Sequence, residues 1–176
     1  MATGGRFTIG ILQAACARDP RENTARAVAA IRERLKPAAG SEKPEDIPGL
    51  IAGAHQGHGL GTRFLKHIER TKILVQIIDV SPYSGRDPVD DFRVVMAELR
   101  AYSPELAQRP QIVAANKIDL LGGAKERLAA VKRLASKKRL PFFAISAMKS
   151  EGLKPLVLAM AKTLAAAEED AGSRNG

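Results

Sequence analysis

The sequence predicts a three-layer α/β fold, with helices on both faces of an open and mostly parallel sheet. Apolar, β-branched runs of strand length alternate with segments whose apolar residues recur at helical spacing. The run ILVQIIDV at 73–80 is apolar almost throughout, as expected for a strand that is covered on both faces. Polar residues follow the predicted strands, at the edge where sheets of this class bind ligands. That edge is therefore the first candidate for a functional site.

The N-terminal part of the chain predicts one strand, one helix and a linker. Residues 7–15, FTIGILQAA, have the short, apolar and β-branched character of a strand. A helix is predicted up to residue 36, because Asp19 can cap it and Pro20 suits its first position. Residues 37–45, PAAGSEKPE, are polar and rich in turn-forming residues, which is typical of a linker.

The rest of the chain continues the alternation and ends in a polar tail. The predicted elements are a helix near 60–70, the strand 73–80, a helix from Asp87-Pro88, a strand at 111–115, a helix near 123–138, a strand at 141–145 and a helix near 154–167. The helix from Asp87-Pro88 is predicted to turn four residues inward: Phe92, Val95, Met96 and Leu99. The tail, EEDAGSRNG at 168–176, is predicted to fray.

The composition and length favour a soluble globular protein of one domain. The 176 residues are 45% hydrophobic and 27% charged, and no run of 18 apolar residues suggests a membrane span. The chain shows no secretory signal, and its single cysteine, Cys16, cannot form an internal disulfide. These observations predict a cytoplasmic protein without membrane contact.

The positive charge of the chain is concentrated near its C-terminal end. The net charge is +9, and residues 120–176 supply eleven basic and five acidic groups. Most of that excess lies between 125 and 139, in Lys125, Arg127, Lys132, Arg133, Lys137, Lys138 and Arg139. Such a surface attracts polyanions, so this region is a candidate contact for RNA or the ribosome. The alternative is an ordinary solvated helix face, and no interleaved aromatic residues favour base stacking.

The most specific chemical signal is Asn116-Lys117-Ile118-Asp119, at the end of a predicted strand. A carboxylate such as Asp119 can accept two hydrogen bonds from the N1–H and exocyclic amine of guanine, a pair that adenine does not offer. The stem of Lys117 can cover a purine ring while its ammonium stays in water. Asn116 can tie neighbouring loops together. The alternative is a simple turn, which Asn and Asp also favour.

Two weaker signals accompany this motif. Ser146-Ala147 follows the next predicted strand, where backbone N–H groups could reach a base carbonyl. Asp46-x-x-Gly49 combines a carboxylate that can hold Mg²⁺ through water with a glycine N–H that can approach a terminal phosphate. The order of the three motifs indicates a guanine-nucleotide domain.

These motifs carry a family resemblance. Residues 46–167 resemble the G domain of the Obg family of ribosome-associated GTPases. The stretch DIPGLIAGAHQGHGLGTRFLKHIERT is similar to that family's switch II and following helix, and RPQIVAANKIDLL to its guanine motif. Ser146-Ala147-Met148 is similar to its last motif. The resemblance implies a Ras-like G domain of the P-loop NTPase type, truncated at its N-terminal end.

The resemblance also implies ligands and roles. It implies GTP or GDP with Mg²⁺, slow GTP hydrolysis and a link to ribosome assembly, with an apolar Leu50 where Ras-like enzymes carry a water-orienting Gln. The Mg²⁺ contact would pass from Asp46 through water, and no catalytic residue is identifiable. The implied nucleotide-contacting residues are Asp46, Ile47, Pro48, Gly49, Asn116, Lys117, Ile118, Asp119, Ser146, Ala147 and Met148.

The N-terminal part departs from that family. A P-loop needs Gly-x-x-x-x-Gly-Lys-Ser/Thr, and the dipeptide Gly-Lys does not occur in the 176 residues. Switch I has no candidate either. Residues 6–36 instead resemble the first strand and helix of nitrilase-superfamily carbon–nitrogen hydrolases. The sequence thus predicts a foreign strand–helix segment with its linker over 1–45 and a partial G domain over 46–167.

Three functions remain open from the sequence. The first is a GTPase of Obg type, with nucleotide binding weakened by the missing P-loop. The second is a non-catalytic module that binds guanine, RNA or the ribosome. The third is a chimeric chain without function. Whether the chain is an enzyme is left open by these alternatives.

Overall fold

The computed structural model of the protein describes residues 8–13 and 71–173. Within them, four strands form one sheet in the order β1-β2-β3-β4, and all three neighbouring pairs are parallel. The strands are β1 (Thr8–Gln13), β2 (Thr71–Asp79), β3 (Gln111–Asn116) and β4 (Phe142–Ala144). The predicted open, parallel α/β sheet is confirmed.

Helices cover both faces of this sheet. They are α1 (Pro88–Tyr102), α2 (Pro104–Ala107), α3 (Lys125–Lys137) and α4 (Leu153–Ser173), with short 3₁₀ turns at Pro82–Ser84 and Ile118–Leu120. Leu74 and Ile78 of β2 pack with α1 and α3 on one face, whereas Ile73, Val75 and Ile77 pack with α4 on the other. Because alternate side chains of a strand point to opposite faces, the apolar run of β2 contributes to the hydrophobic core on each face of the sheet. The predicted three layers are present.

Helix α1 follows from signals in its own sequence. The side chain of Asp87 accepts hydrogen bonds from the N–H groups of Val89 (2.7 Å) and Asp90 (3.1 Å), which caps the helix. Pro88 occupies the first helical position, where its missing N–H costs nothing. The four residues that were predicted to face inward are all buried: Phe92, Val95, Met96 and Leu99.

Some boundaries differ from the predictions. Helix α4 continues to Ser173, six residues beyond the predicted end at 167, because Glu168, Glu169 and Ala171 all favour a helix. Helix α2 was not predicted, although Ser103 caps it by accepting a hydrogen bond from the N–H of Leu106 (3.1 Å). The helices predicted at 19–36 and 60–70 and the linker at 37–45 lie outside the described residues.

Strand β1 joins the sheet beside β2. Gly10 aligns with Leu74 and Gln13 with Ile77 in parallel register. The N-terminal strand thereby supplies an outer neighbour to a strand whose two faces are both buried. Its different evolutionary character stays a prediction. No helix in the part of the chain that the structure describes combines the length and apolarity needed to cross a membrane.

Candidate functional site

Three buried polar residues mark the carboxyl ends of β2, β3 and β4. Asp79 is 2% exposed, Asn116 3% and Ser146 0%. Asp79 and Asn116 are direct partners in the register of β2 and β3, so they stand side by side at the edge of the sheet. Buried polar groups need hydrogen-bond partners, and these three residues find them within the loops at this edge of the sheet.

Asn116 joins the loops that follow β3 and β4. Its Oδ1 accepts hydrogen bonds from the N–H of Lys117 (2.8 Å) and from the N–H of Ala147 (3.1 Å). A second link is the hydrogen bond from the N–H of Ile118 to the carbonyl of Ile145 (3.3 Å). The two sequence motifs, thirty residues apart in the chain, are therefore one structural unit.

Lys117 is held at both ends. Its backbone is left-handed, with φ 68° and ψ 37°, a conformation that few non-glycine residues adopt. Its Nζ lies 2.7 Å from Oδ2 of Asp79, and the Lys117 side chain is only 21% exposed. The Lys117 ammonium is therefore paired with the buried carboxylate of Asp79, which needs a counter-charge.

Asp119 presents an unsatisfied acceptor. It lies in the 3₁₀ turn Ile118–Leu120, just beyond the joined loops. Its Oδ1 is inaccessible to solvent and accepts no hydrogen bond from the part of the chain that the structure describes. Such an orphaned carboxylate oxygen is costly unless a ligand supplies a donor.

The loop after β4 is a closed turn. The N–H of Ser146 donates to the carbonyl of Glu151 (3.1 Å), and the N–H of Glu151 donates back to Ser146 (3.0 Å). Ser146 Oγ accepts a further hydrogen bond from the N–H of Lys149 (3.1 Å). The N–H groups of Ser146 and Ala147, which were predicted to reach a base carbonyl, thus have partners within the protein. Met148 points outward and is 65% exposed.

The loop after β2 is fixed by an arginine from α3. Arg127 donates to the carbonyl of Val80 (3.1 Å), to Oγ of Ser84 (3.0 Å) and to the carbonyl of Arg86 (2.5 Å). Arg127 is therefore structural and does not belong to the basic surface on which the sequence placed it. The other six residues of that group are exposed: Lys125, Lys132, Arg133, Lys137, Lys138 and Arg139.

A second ion pair, of which only the carboxylate is buried, joins this loop to α1. Arg86 Nε is 2.6 Å from Oδ1 of Asp91, whose side chain is 3% exposed. Burial raises the pKa of the Asp91 carboxyl above its usual value, and the hydrogen bond and charge of Arg86 offset part of that rise. Asp79 adds a smaller contribution in the same direction, since a second negative charge disfavours ionisation.

The other predicted site residues lie outside the described residues. They are Asp46, Ile47, Pro48 and Gly49, so the predicted phosphate and Mg²⁺ contacts stay predictions. Across 8–13 and 71–173, no group of three or more His, Cys, Asp or Glu side chains could hold a metal ion. Asp79 is a further candidate: it is the last residue of an apolar strand, at the edge where a site was predicted, but it is not among the predicted site residues.

Comparison with known proteins places this architecture in a family. Residues 24–117 match the model of the 50S ribosome-binding GTPase family. The matched range begins upstream of Asp46, inside the segment that was predicted to be foreign, and the boundary between the two segments stays a prediction.

Curated relatives give a closer match. The chain is 51% identical over 119 residues to the GTPase Obg of Acetivibrio thermocellus and 52% identical over 119 residues to that of Ruminiclostridium cellulolyticum. Each match covers 68% of this chain but only 28% of the relative. The chain therefore spans less than a third of the length of these two proteins.

Solved structures show the same fold at low sequence identity. The G domain of FeoB from Methanococcus jannaschii aligns with a TM-score of 0.60 at 17% identity, over 90% of this chain and 97% of that domain. Era from Aquifex aeolicus, bound to GDP.AlF4-, aligns with a TM-score of 0.59 at 17% identity, over 89% of this chain and 56% of Era. The chain belongs to the 50S ribosome-binding GTPase family and carries part of an Obg-type G domain.

Proposed function

We propose that this chain binds guanine nucleotides through the base, at the edge formed by residues 116–119 and 146–147. The observation that carries the proposal is the buried Oδ1 of Asp119, which accepts no hydrogen bond from the described residues. The N1–H and exocyclic amine of guanine supply the two donors that a carboxylate lacks. Adenine presents no such pair and would leave the charge of Asp119 unpaired. The joined loops hold this carboxylate in a fixed position, which lowers the entropy cost of binding.

The phosphates contribute little to this binding. The dipeptide Gly-Lys of a P-loop does not occur in the 176 residues. Hydrogen bonds to charged groups contribute about 1.5–3 kcal/mol each, so the loss of several phosphate contacts removes on the order of 5 kcal/mol. That loss corresponds to an affinity that is at least roughly a thousandfold weaker than in a domain with a P-loop. We therefore propose weak nucleotide binding, little dependent on Mg²⁺, without GTP turnover by this chain alone.

The similar proteins support the nucleotide class. The curated relatives are named GTPase Obg, and Era was solved with GDP.AlF4- and with MgGDPNP. The first experiment titrates GMP, XMP and AMP into the labelled protein and follows the backbone amide signals of Lys117 and Ala147. We expect GMP to bind about tenfold more tightly than either competitor, since each lacks one or both donors.

The Asp119→Asn variant tests the base contact directly. Its amide can donate to the 2-carbonyl of xanthine, so we expect weaker GMP binding and a reversed preference for XMP. Asp90→Asn is the matched control, because Asp90 is 65% exposed and pairs with Arg93 on the surface of α1. It should leave the preference unchanged. Equal responses to GMP and AMP, or an Asp119→Asn variant that still prefers GMP, would contradict the proposal.

A second candidate function is RNA binding through the basic face of α3. We define this face by six exposed basic residues: Lys125, Lys132, Arg133 and Lys137 of α3, and Lys138 and Arg139 directly after its end. Glu126 is the only acidic residue between 120 and 150, so little on α3 offsets the positive potential. A structurally similar Era was solved with nucleotides 1506–1542 of 16S ribosomal RNA.

Salt dependence distinguishes this candidate from a solvated helix face. We expect the double variant Lys132→Gln/Lys137→Gln to bind RNA more weakly and to lower the salt slope by about 1 per lost phosphate contact. Lys154→Gln/Lys162→Gln is the matched control, since it removes the same charge from exposed positions of α4 on the other side of the sheet. Equal losses in the two variants would indicate only a net-charge effect.

A further inference from the structure

We infer that Asp79 is a positioning residue of the guanine site and acts through Lys117. This inference rests on the proposed function and adds a residue that the three motifs do not contain. Asp79 is the last residue of β2 and stands beside Asn116 in the sheet register. Its two carboxylate oxygens contact different partners, so one substitution can remove the contact with Lys117 and keep the contact with Ser81.

The first oxygen organises the protein itself. Oδ1 of Asp79 accepts a hydrogen bond from the N–H of Ser81 (2.8 Å) and so starts the turn after β2. A neutral amide at position 79 can keep this contact, because its oxygen is an acceptor of nearly the same shape.

The second oxygen points to the candidate site. Oδ2 of Asp79 lies 2.7 Å from Nζ of Lys117, and both side chains are largely covered. The backbone N–H of Lys117 is bound at the same time by Oδ1 of Asn116 (2.8 Å). Both ends of Lys117 are therefore anchored, and its four-carbon stem connects the ends of β3 and β2.

A Lys117 side chain that is already ordered lowers the cost of binding a purine. A free lysine has many rotamers, and ordering one upon ligand binding costs free energy that a preformed contact does not. Lys117 stands two residues before Asp119, so a fixed stem gives the base an apolar surface beside the carboxylate that selects it. The buried ion pair also keeps the ammonium away from Asp119, whose free oxygen must stay available to the ligand.

A double-mutant cycle with GMP as the probe tests this role. Asp79→Asn removes the ion pair but keeps the acceptor for Ser81, and Lys117→Met keeps an unbranched stem without the ammonium. We expect each single variant to weaken GMP binding by about fivefold to tenfold. In the Lys117→Met background, Asp79→Asn should change the affinity by less than about twofold, because its partner is already gone.

Asp91→Asn is the matched control for the loss of a buried charge. Asp91 is also 2% exposed, but its ion pair is with Arg86 in the loop after β2 and not with Lys117. It should leave GMP affinity within about twofold of the wild-type value. Binding is read from the amide signals of Ile118 and Ala147 in folded samples, with the unfolding midpoint of each variant recorded alongside.

The outcomes distinguish failure of guanine binding from failure of the Asp79 role. Failure of the wild-type protein to bind GMP overturns the proposed function and this inference with it. Wild-type binding combined with additive effects of Asp79→Asn and Lys117→Met overturns the positioning role alone. A loss in Asp91→Asn as large as that in Asp79→Asn does the same, since it would reduce the effect to general destabilisation.

Discussion

Gly152→Ala is expected to lower the free energy of unfolding by about 3 kcal/mol or more. Gly152 has a φ of +70°, and a Cβ at this position would lie 2.3 Å from the carbonyl oxygen of Ala144. That atom belongs to the backbone at the end of β4, so no side-chain rotation can relieve the clash. The strand end itself would have to move.

Gly85→Ala separates the clash from backbone strain. Gly85 has nearly the same φ, +67°, but a Cβ there meets no atom within 4 Å. Gly85→Ala should therefore lower the free energy of unfolding by only about 1 kcal/mol, the strain of an alanine in the left-handed conformation. Urea denaturation of both variants gives the comparison directly. If the two variants lose the same free energy of unfolding, the close approach of residue 152 to Ala144 does not contribute to the effect of Gly152→Ala.

The position of Gly152 connects this stability effect to the candidate site. It follows the paired residues Ser146 and Glu151, whose turn presents Ala147 to Asn116. A displaced end of β4 moves that turn, because the N–H of Ile145 is bound to the carbonyl of Ala115 in β3 (2.8 Å). Gly152→Ala should therefore weaken GMP binding even where the variant is still folded.

The sheet and its helices could be predicted because their signals are local. The apolar run of β2 determines burial on both faces without reference to any other segment. Asp87 and Pro88 start α1 through contacts within four residues. The end of α4 was missed because alanine and glutamate carry no stop signal, and helix ends depend on what the last turn packs against.

The candidate site could be predicted only in part, because its contacts are long-range. Asn116 and Ala147 were both identified, but their hydrogen bond depends on how β3 and β4 align. The pair of Asp79 with Lys117 links the ends of two strands, and a lysine in the sequence gives no sign of whether its ammonium will be solvated. Arg127 was counted as surface charge for the same reason, although it binds the loop after β2.

Asn116→Ala is expected to lower the free energy of unfolding by about 2–4 kcal/mol and to abolish the response to GMP. The substitution removes the acceptor shared by the N–H groups of Lys117 and Ala147, and it leaves two donors without a partner in a covered region. The loops after β3 and β4 would then be joined mainly through Ile118 and Ile145. Lys117 would also lose one of its two anchors. Denaturation and GMP titration of the same samples measure the two effects together.

Ser146→Ala is the matched control for this prediction. Ser146 is fully buried like Asn116, but its Oγ accepts one hydrogen bond, from Lys149 within the same turn, and joins no second loop. Its loss should lower the free energy of unfolding by about 1 kcal/mol, and it should weaken GMP binding far less than Asn116→Ala does, because the backbone of residue 146 is kept. If Ser146→Ala weakened GMP binding as much as Asn116→Ala, the site would depend on the turn after β4 alone. We expect a larger effect from Asn116→Ala because the Asn116 hydrogen bond, unlike that of Ser146, joins both loops and so fixes Asp119 relative to Ala147. Equal effects of the two variants would contradict that role.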